Sequence, residues 1–417
     1  MKLAKMSMVA ALLLGANAYA IDNVKVSGDA KLYYQTVDTD TAGAKDMFDK
    51  SQSAGDAALS LGVTADLTEG VSAGATFNAV SSLGLENNLV DNTWSGAHDA
   101  TVNGGADLGV QVDDASWFSE AWIAGTAGKT TAKVGRMALD TPLLFTETWG
   151  ISQNTFEGAV VINQDLPDTT LVAGYVGKSN GSATDVNPRT LGLDLGMGIV
   201  ANGGTFNSFH NGAYAYGVVN NSWKPLTAQA WYYDVSSLAT AYWLQADIEC
   251  SLVEGVMIGA QYTGTDWADS TPGGDAFAVM LGYAMKDVVT VKAAYSSVDD
   301  KDATVASNLA TSASQTKMYT EMWWNYGQVA TMGADSFSVT AEGTAAGVDL
   351  LLGFYSSEQD TASVNDIEVT EIAFTAGKSF GPLDATLALI NDDISNETAT
   401  ANDHTDTTLQ VYLTYNF

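Results

Sequence analysis

Few side chains in this sequence could make or break a bond. The three histidines, His98, His210 and His404, stand far apart, and the lone cysteine, Cys250, has no imidazole or second thiol at metal-ligand spacing. A zinc centre or an activated nucleophile needs such groups to converge, and a phosphate loop needs glycines between a strand and a helix. The sequence has neither pattern, so no enzyme is expected. Its charges say more. Lysine and arginine total 17 against 49 Asp and Glu, a net charge of −32, and Arg136 and Arg189 are the only arginines. Nucleic acid is excluded as a partner, because phosphate binding needs a basic surface. Charged groups can still sort ions and solutes by sign without covalent chemistry. Which of them do so depends on the elements that carry them.

Those elements read as strands. In Leu409–Phe417, Leu409, Val411, Leu413, Tyr415 and Phe417 alternate with Gln410, Thr414 and Asn416, which gives one apolar and one polar face. A chain ending on such a strand with an aromatic residue resembles bacterial outer-membrane β-barrels. That likeness implies that the last strand closes against the first and that Tyr415 and Phe417 form an assembly signal. At the other end, Lys2 and Lys5 precede a short apolar run, and Ala18-Tyr19-Ala20 offers small residues for a signal peptidase. Residues 1–20 are expected to be a signal peptide cleaved after Ala20, and 21–417 the barrel. Taking 20 from 417 leaves 397 residues, and losing two lysines moves the charge from −32 to −34.

The composition agrees. With 46% hydrophobic and 10% aromatic residues the chain is too apolar for disorder, while 40 glycines and six prolines without helical periodicity suit many strands and turns. No apolar run is long enough for a membrane helix, and a barrel strand shows lipid only every second residue, so an average hydropathy near zero is expected of a porin.

The strands follow a rhythm. Leu59–Leu67 and Val71–Ala79 form a hairpin around Thr68-Glu69-Gly70, and Trp117–Thr126 pairs with Thr130–Arg136 around Ala127-Gly128-Lys129. Further short turns fall near Asp165–Asp168, Asn221–Pro225, Cys250–Gly255, Lys286-Asp287, Gly343–Gly347 and Phe380–Pro382, alternating with long links such as 38–55, 138–153, 179–208, 298–316 and 391–406. Short periplasmic turns and long extracellular loops produce this alternation. Counting Met318–Gly327 as a spanning strand would give nineteen strands; reading Tyr319–Trp324 as loop or strand extension gives eighteen, with sixteen as the alternative. The expected fold is thus an all-β, transmembrane antiparallel barrel.

Burial cost orients the charges within strands. A lysine facing lipid at mid-bilayer costs about 2–4 kcal/mol, so Lys25, Asp29, Lys31, Glu120, Lys133, Asp247 and Lys292 are assigned to the pore lining. Strict alternation then carries Phe118 and Trp122 inward with Glu120, unless a bulge intervenes. Rows such as Tyr242, Leu244, Ala246 and Ile248, or Phe277, Val279, Leu281 and Tyr283, face lipid, with tyrosines at their ends as in interfacial girdles.

Arg136 lies in Gly135-Arg136-Met137-Ala138-Leu139-Asp140-Thr141-Pro142, and Phe156-Glu157-Gly158 follows the link. Here the sequence resembles the Campylobacter-type major outer-membrane porins and the wider Opr/OprD-like group, in which a Gly-Arg-x-x-Leu-x-x-Pro segment opens the third loop and Phe-Glu-Gly follows it. The resemblance implies an eighteen-stranded homotrimeric porin with an inward third loop, and a pore constriction formed by Arg136, Asp140, Glu147 and Glu157, with Glu120 nearby. It implies a Gram-negative outer membrane, with lipid and lipopolysaccharide around the barrel and periplasmic chaperones and the barrel-assembly machinery as partners. Related channels for basic amino acids use a ladder of arginines, which two arginines cannot build. His210-Asn211-Gly212 is similar to the active-site segment of outer-membrane phospholipases, without its serine.

The expected function is passive diffusion of small hydrophilic solutes with cation preference, set against the rival of an exported structural surface protein. Net acidity raises cation concentration at a narrow lumen, opposed by Lys25, Lys31, Lys133, Lys292 and Arg136. No cofactor is expected. Acidic loop residues such as Asp91, Asp99, Asp107, Asp113, Asp114, Asp299, Asp300 and Asp302 could bind Ca²⁺, although no segment has the spacing of a dedicated calcium loop.

Overall fold

The computed structural model describes residues 22–40, 43–90, 101–102, 106–107, 114–148, 150–181, 204, 206–268, 272–301, 305–311, 315–360, 367–396 and 403–417. The expected signal peptide, His98, Arg189 and the loop carboxylates Asp91, Asp99, Asp113 and Asp302 lie outside the described residues, as do the side chains of Asp107 and Asp114.

Eighteen strands form one closed antiparallel barrel. They are β1 (Asp22–Thr39), β2 (Ser53–Thr68), β3 (Val71–Ser81), β4 (Asp114–Ala127), β5 (Thr130–Met137), β6 (Phe156–Asn163), β7 (Thr169–Ser179), β8 (Asn207–Asn220) and β9 (Leu226–Val235). The second half comprises β10 (Ala239–Glu249), β11 (Val256–Trp267), β12 (Gly274–Met285), β13 (Val289–Val298), β14 (Ala334–Ala345), β15 (Val348–Gln359), β16 (Ile367–Phe380), β17 (Leu383–Asn396) and β18 (His404–Asn416). Each strand pairs with its sequence neighbours, and Thr101–Val102 with Ala106–Asp107 makes a separate short ladder. Tight turns such as Glu69-Gly70 and Gly128-Lys129 occupy one end; their glycines adopt φ of 72° and 62°, which a side chain would resist.

Closure joins β1 to β18 along Asp29↔Asn416 to Thr39↔Asp406. At the end of this seam Gly28 N–H donates to Phe417 O (2.8 Å) and Phe417 N–H to Gly28 O (2.9 Å). The expectation that the last strand meets the first, with an even count bringing the chain back to its starting end, therefore holds.

Alternation produces an inside-out distribution. Leu244, Ile258, Tyr262, Val279 and Leu281 are exposed on the outer face, while Tyr33, Trp243, Glu371 and Gln410 inside are almost fully buried. At Glu120 the structure corrects strict alternation. A bulge shifts the β3–β4 register, pairing Thr76 with Glu120 and Phe77 with Phe118 and leaving Ser119 extra. The Phe118 ring meets Phe77 edge-on at 5.6 Å in the outer row, whereas Trp122 packs on Gly74, where a Cβ would lie 2.5 Å from its ring. The extra residue reverses the alternation on the N-terminal side of Glu120, so Trp117 and Ser119 take the buried face and Phe118 the outer one.

The link expected at 298–316 is longer, running from Asp299 to Gly333, and Met318–Gly327 is no spanning strand, as the count of eighteen requires.

The seam suggests a test. A Cβ on Gly28 would run into Ser60 O and lie 2.7 Å from the Phe417 ring, so Gly28→Val should cost about 1–3 kcal/mol. Barrels refolded in vesicles should show a lower urea midpoint, and an unchanged midpoint would mean that the seam accommodates a side chain.

Candidate functional site: two loops folded into the lumen

The third loop, residues 138–155, carries an apolar tip that has to find an apolar surface. Leu143 and Leu144 are buried against Trp231 and Tyr233 of β9 and Trp243 of β10, and Leu143 N–H donates to Tyr233 Oη (3.3 Å). Within the loop Asp140 bridges to Phe145, and Thr146 N–H donates to Leu139 O (2.7 Å).

The seventh loop, residues 299–333, also turns inward and docks on the third. Asn308 mimics a strand: its Nδ2 donates to Phe145 O (2.9 Å) while its Oδ1 accepts from Phe145 N–H (3.2 Å), and Leu309 N–H donates to Leu143 O (2.8 Å). Farther along, Tyr319 lies on the wall at Gly259, where a Cβ would come within 2.5 Å of its ring, and its hydroxyl donates to Asp247. Gln261 Nε2 donates to Lys317 O (2.9 Å) and Gln261 Oε1 accepts from Tyr319 N–H (3.1 Å). Toward the far side of the barrel, the N–H groups of Trp323 (2.8 Å), Trp324 (3.1 Å) and Asn325 (2.9 Å) all donate to the Glu371 carboxylate of β16.

Two cavities flank this assembly. One, of about 430 Å³, is lined by Asp140, Phe145, Gln153 and Lys317 among others. The other, of about 540 Å³, is lined by Trp323, Trp324, Tyr326, Tyr355 and Tyr412 among others. Thr148, Gln315 and Glu321 line both.

The residues expected at the constriction are dispersed. Asp140 is exposed in the first cavity and pairs with Lys317 (2.9 Å), whose ammonium also sits 4.6 Å from the centre of the Phe145 ring. Glu147 corrects its expected place: only 5% exposed, it accepts from Asn308 Nδ2 (3.0 Å) and Thr311 Oγ1 (2.6 Å), so it fastens the two loops and lines neither cavity. Arg136 and Glu157 face each other across β5–β6 with Nε–Oε1 at 2.7 Å, and Lys178 Nζ lies 3.4 Å from the other Glu157 oxygen. Gly135, at φ 129°, interrupts the alternation between exposed Val134 and Arg136, and the Arg136 guanidinium donates to Phe118 O (2.9 Å) and stacks over Phe206 at 4.0 Å.

Of the expected lining residues, Asp247 holds Tyr319, Lys133 lies 4.2 Å from the centre of the Trp122 ring, and Lys292 pairs with Glu342 at 3.4 Å. Asp29 and Lys31 are 3.6 Å apart, Lys25 is exposed on β1, and Glu120 stands opposite Thr76. Tyr415 and Phe417 are exposed, with ring centres 6.5 Å apart. No group of three or more His, Cys, Asp or Glu among the described residues is placed to hold a metal ion.

Sequence reasoning missed Lys317, Glu321 and the aromatic run. The signal was there: Met318–Gly327 puts Tyr319, Trp323, Trp324 and Tyr326 into a link, and a link so apolar must be covered.

Glu321 is half-buried by area, yet the loops enclose its carboxyl. Burial pushes it up to about 8, with the Glu147 carboxylate adding to the rise and the Thr316 N–H (3.1 Å) and Lys317 opposing it. Because the folded value lies above the ordinary 4.5, the stability from docking this group neutral is complete below 4.5 and lost as pH rises through about 8. The junction therefore gains negative charge over the same window. In a conducting barrel the reversal potential should move in the cation-selective direction between about pH 7 and 9, and Glu321→Gln should flatten that movement; an equal movement in the variant would assign it to other groups.

No family model matches the chain, and no curated protein matches it. Solved structures do. OccK9 (OpdG) of Pseudomonas aeruginosa is 12% identical with a TM-score of 0.69, covering 95% of this chain and 99% of its own. OpdL of the same organism is 14% identical with a TM-score of 0.67, and OccAB4 of Acinetobacter baumannii is 12% identical with a TM-score of 0.66, each with 95% and 99% coverage. The chain thus has an OprD-like porin fold, shared end to end with these Occ barrels.

Proposed function

We propose that the protein is an outer-membrane diffusion channel for small hydrophilic solutes, with a preference for cations. The observation that carries this reading is a closed eighteen-stranded barrel with apolar outer rows and two loops docked across its lumen. Such a wall satisfies its backbone polar groups between strands and leaves no open edge in lipid. A structural surface protein has no use for an apolar exterior around a partly filled interior. The finer likeness to Campylobacter-type major porins rests on the Gly-Arg-x-x-Leu-x-x-Pro and Phe-Glu-Gly segments. With it come a signal peptide cleaved after Ala20, a homotrimer, insertion by the barrel-assembly machinery with periplasmic chaperones, and a bilayer containing lipopolysaccharide.

Cation preference follows from what the ion pairs leave over. Asp140 with Lys317 largely cancels at a distance, and Glu157 offsets one of the two cations, Arg136 and Lys178, that meet it. The acidic loops then set the sign, and Glu321 adds to it as it ionises at about pH 8. Mouth charges are screened beyond about 8–10 Å at physiological salt, so once ionised, above about pH 8, Glu321 at the cavity junction acts most directly on a passing ion.

Planar-bilayer recording tests the reading. Detergent-extracted protein should give stepwise conductance and a cation-selective reversal potential in a KCl gradient, weaker in concentrated salt. Protein recovered from the aqueous phase without conductance would sink the channel, and an anion-selective sign would sink the preference. Deleting most of residues 138–153 should raise single-channel conductance in an inserted barrel; the increase should be partial, because the seventh loop keeps its own hold on the wall through Glu371, Gln261 and Asp247. An unchanged conductance would remove the third loop from the constriction.

A further inference from the structure

We infer that the aromatic cavity beside the seventh loop is a transient binding site for organic ammonium ions, solutes that join a positive charge to an apolar or aromatic body. The inference rests on the channel reading and names a solute class for it. Trp323, Trp324, Tyr326 and Tyr412 are half-buried in the wall of this cavity of about 540 Å³. Among the described residues no lysine, arginine or histidine lines it, and Glu321 supplies a carboxyl group where it meets the first cavity. A cation over an aromatic face is attracted by the ring quadrupole, and more strongly where water is thinned out. A carboxylate solute finds no basic partner here.

The walls are also fixed in advance. Trp323 and Trp324 are held at the main chain, since their N–H groups donate to Glu371, which has no exposed surface. The next residue, Asn325, adds Nδ2 bonds to Glu371 (3.1 Å) and Asp392 (3.3 Å). On β18, two strands along the wall, Tyr412 is held by its hydroxyl bond to Gln410 Oε1 (3.0 Å) and its ring contact with Tyr33 (4.8 Å). A solute meeting rigid rings loses less in ordering its site than one meeting a mobile loop. The two cavities share Thr148, Gln315 and Glu321, so a solute crossing from the Asp140–Lys317 side passes the carboxylate before it reaches the rings.

The test uses the full-length channel in a planar bilayer. KCl is recorded first, so that absence of conductance marks failure of the channel reading itself. Benzyltrimethylammonium, benzoate and glucose are then added in turn to open channels. Benzyltrimethylammonium should produce resolved current interruptions, and benzoate and glucose none. Trp323→Leu should shorten the interruptions about tenfold, the scale of one desolvated cation–π contact, while Trp323→Phe should restore much of the dwell time and show that the ring face is what matters. At about pH 9, where the Glu321 carboxyl is ionised, Glu321→Gln should lower their frequency. An open channel that benzyltrimethylammonium leaves undisturbed, interruptions by glucose or benzoate of equal length, or a dwell time unchanged in a conducting Trp323→Leu channel would each overturn the inference.

Discussion

A carboxylate in the barrel wall holds the interior together. Glu371 has no exposed surface and accepts from three consecutive backbone N–H groups, those of Trp323, Trp324 and Asn325. A loop entering a lumen loses water from its main chain, and each buried N–H left unpaired costs about 1–3 kcal/mol. Strands satisfy one another; an irregular segment has to be satisfied by side chains. One carboxylate serving three donors meets that need, and the donors stabilise its charge in return. Asn308 plays the corresponding part on the third loop, giving and taking a bond at Phe145 as a neighbouring strand would.

These bonds make the two loops one body. Leu143 and Leu144 fasten it to β9 and β10, Tyr319 and Lys317 to β10 and β11, and the 323–325 segment to β16. Anchored on widely separated strands, the body spans the lumen and leaves space on either side. The lumen therefore contains an apolar cluster as well as water-accessible space. The side chains that form it, Trp231, Tyr233, Trp243, Leu143, Leu309 and Ala310, would be unremarked in a soluble core; here they exist because the loop tips need a surface to cover them.

The wall was legible in the sequence because its rule is local. Period-two alternation and the order of short and long links depend on neighbours a few residues away, so strand number, closure and the outer rows follow directly. Ser119 shows the limit: one extra residue at a bulge re-aims Phe118, and nothing within β4 announces it. The lumen was less legible because its rule is long-range. Glu147 reads as an exposed loop carboxylate, yet Asn308, 161 residues farther on, helps to bury it. The aromatic content of Met318–Gly327 marked it as a segment needing cover, but its cover comes from Gly259, Asp247 and Glu371 on distant strands.

The same long-range pairing changes how charge should be counted. The total of −32 describes the molecule, whereas an ion inside the barrel responds to what its neighbours leave unneutralised. Glu157 meets Arg136 on one neighbouring strand and Lys178 on the other, Lys317 meets Asp140 across the two loops, and Lys292 meets Glu342 on adjacent strands. The Asp140–Lys317 and Lys292–Glu342 pairs are dipoles whose fields fall off faster than that of a single charge, whereas the Arg136–Glu157–Lys178 group keeps one positive charge. Glu321 differs: its carboxyl, kept neutral more readily than usual by burial, stands where the two cavities meet. On the proposed channel reading, selectivity thus turns less on how many carboxylates the chain carries than on the ionisation of one that the loop packing has placed at a junction.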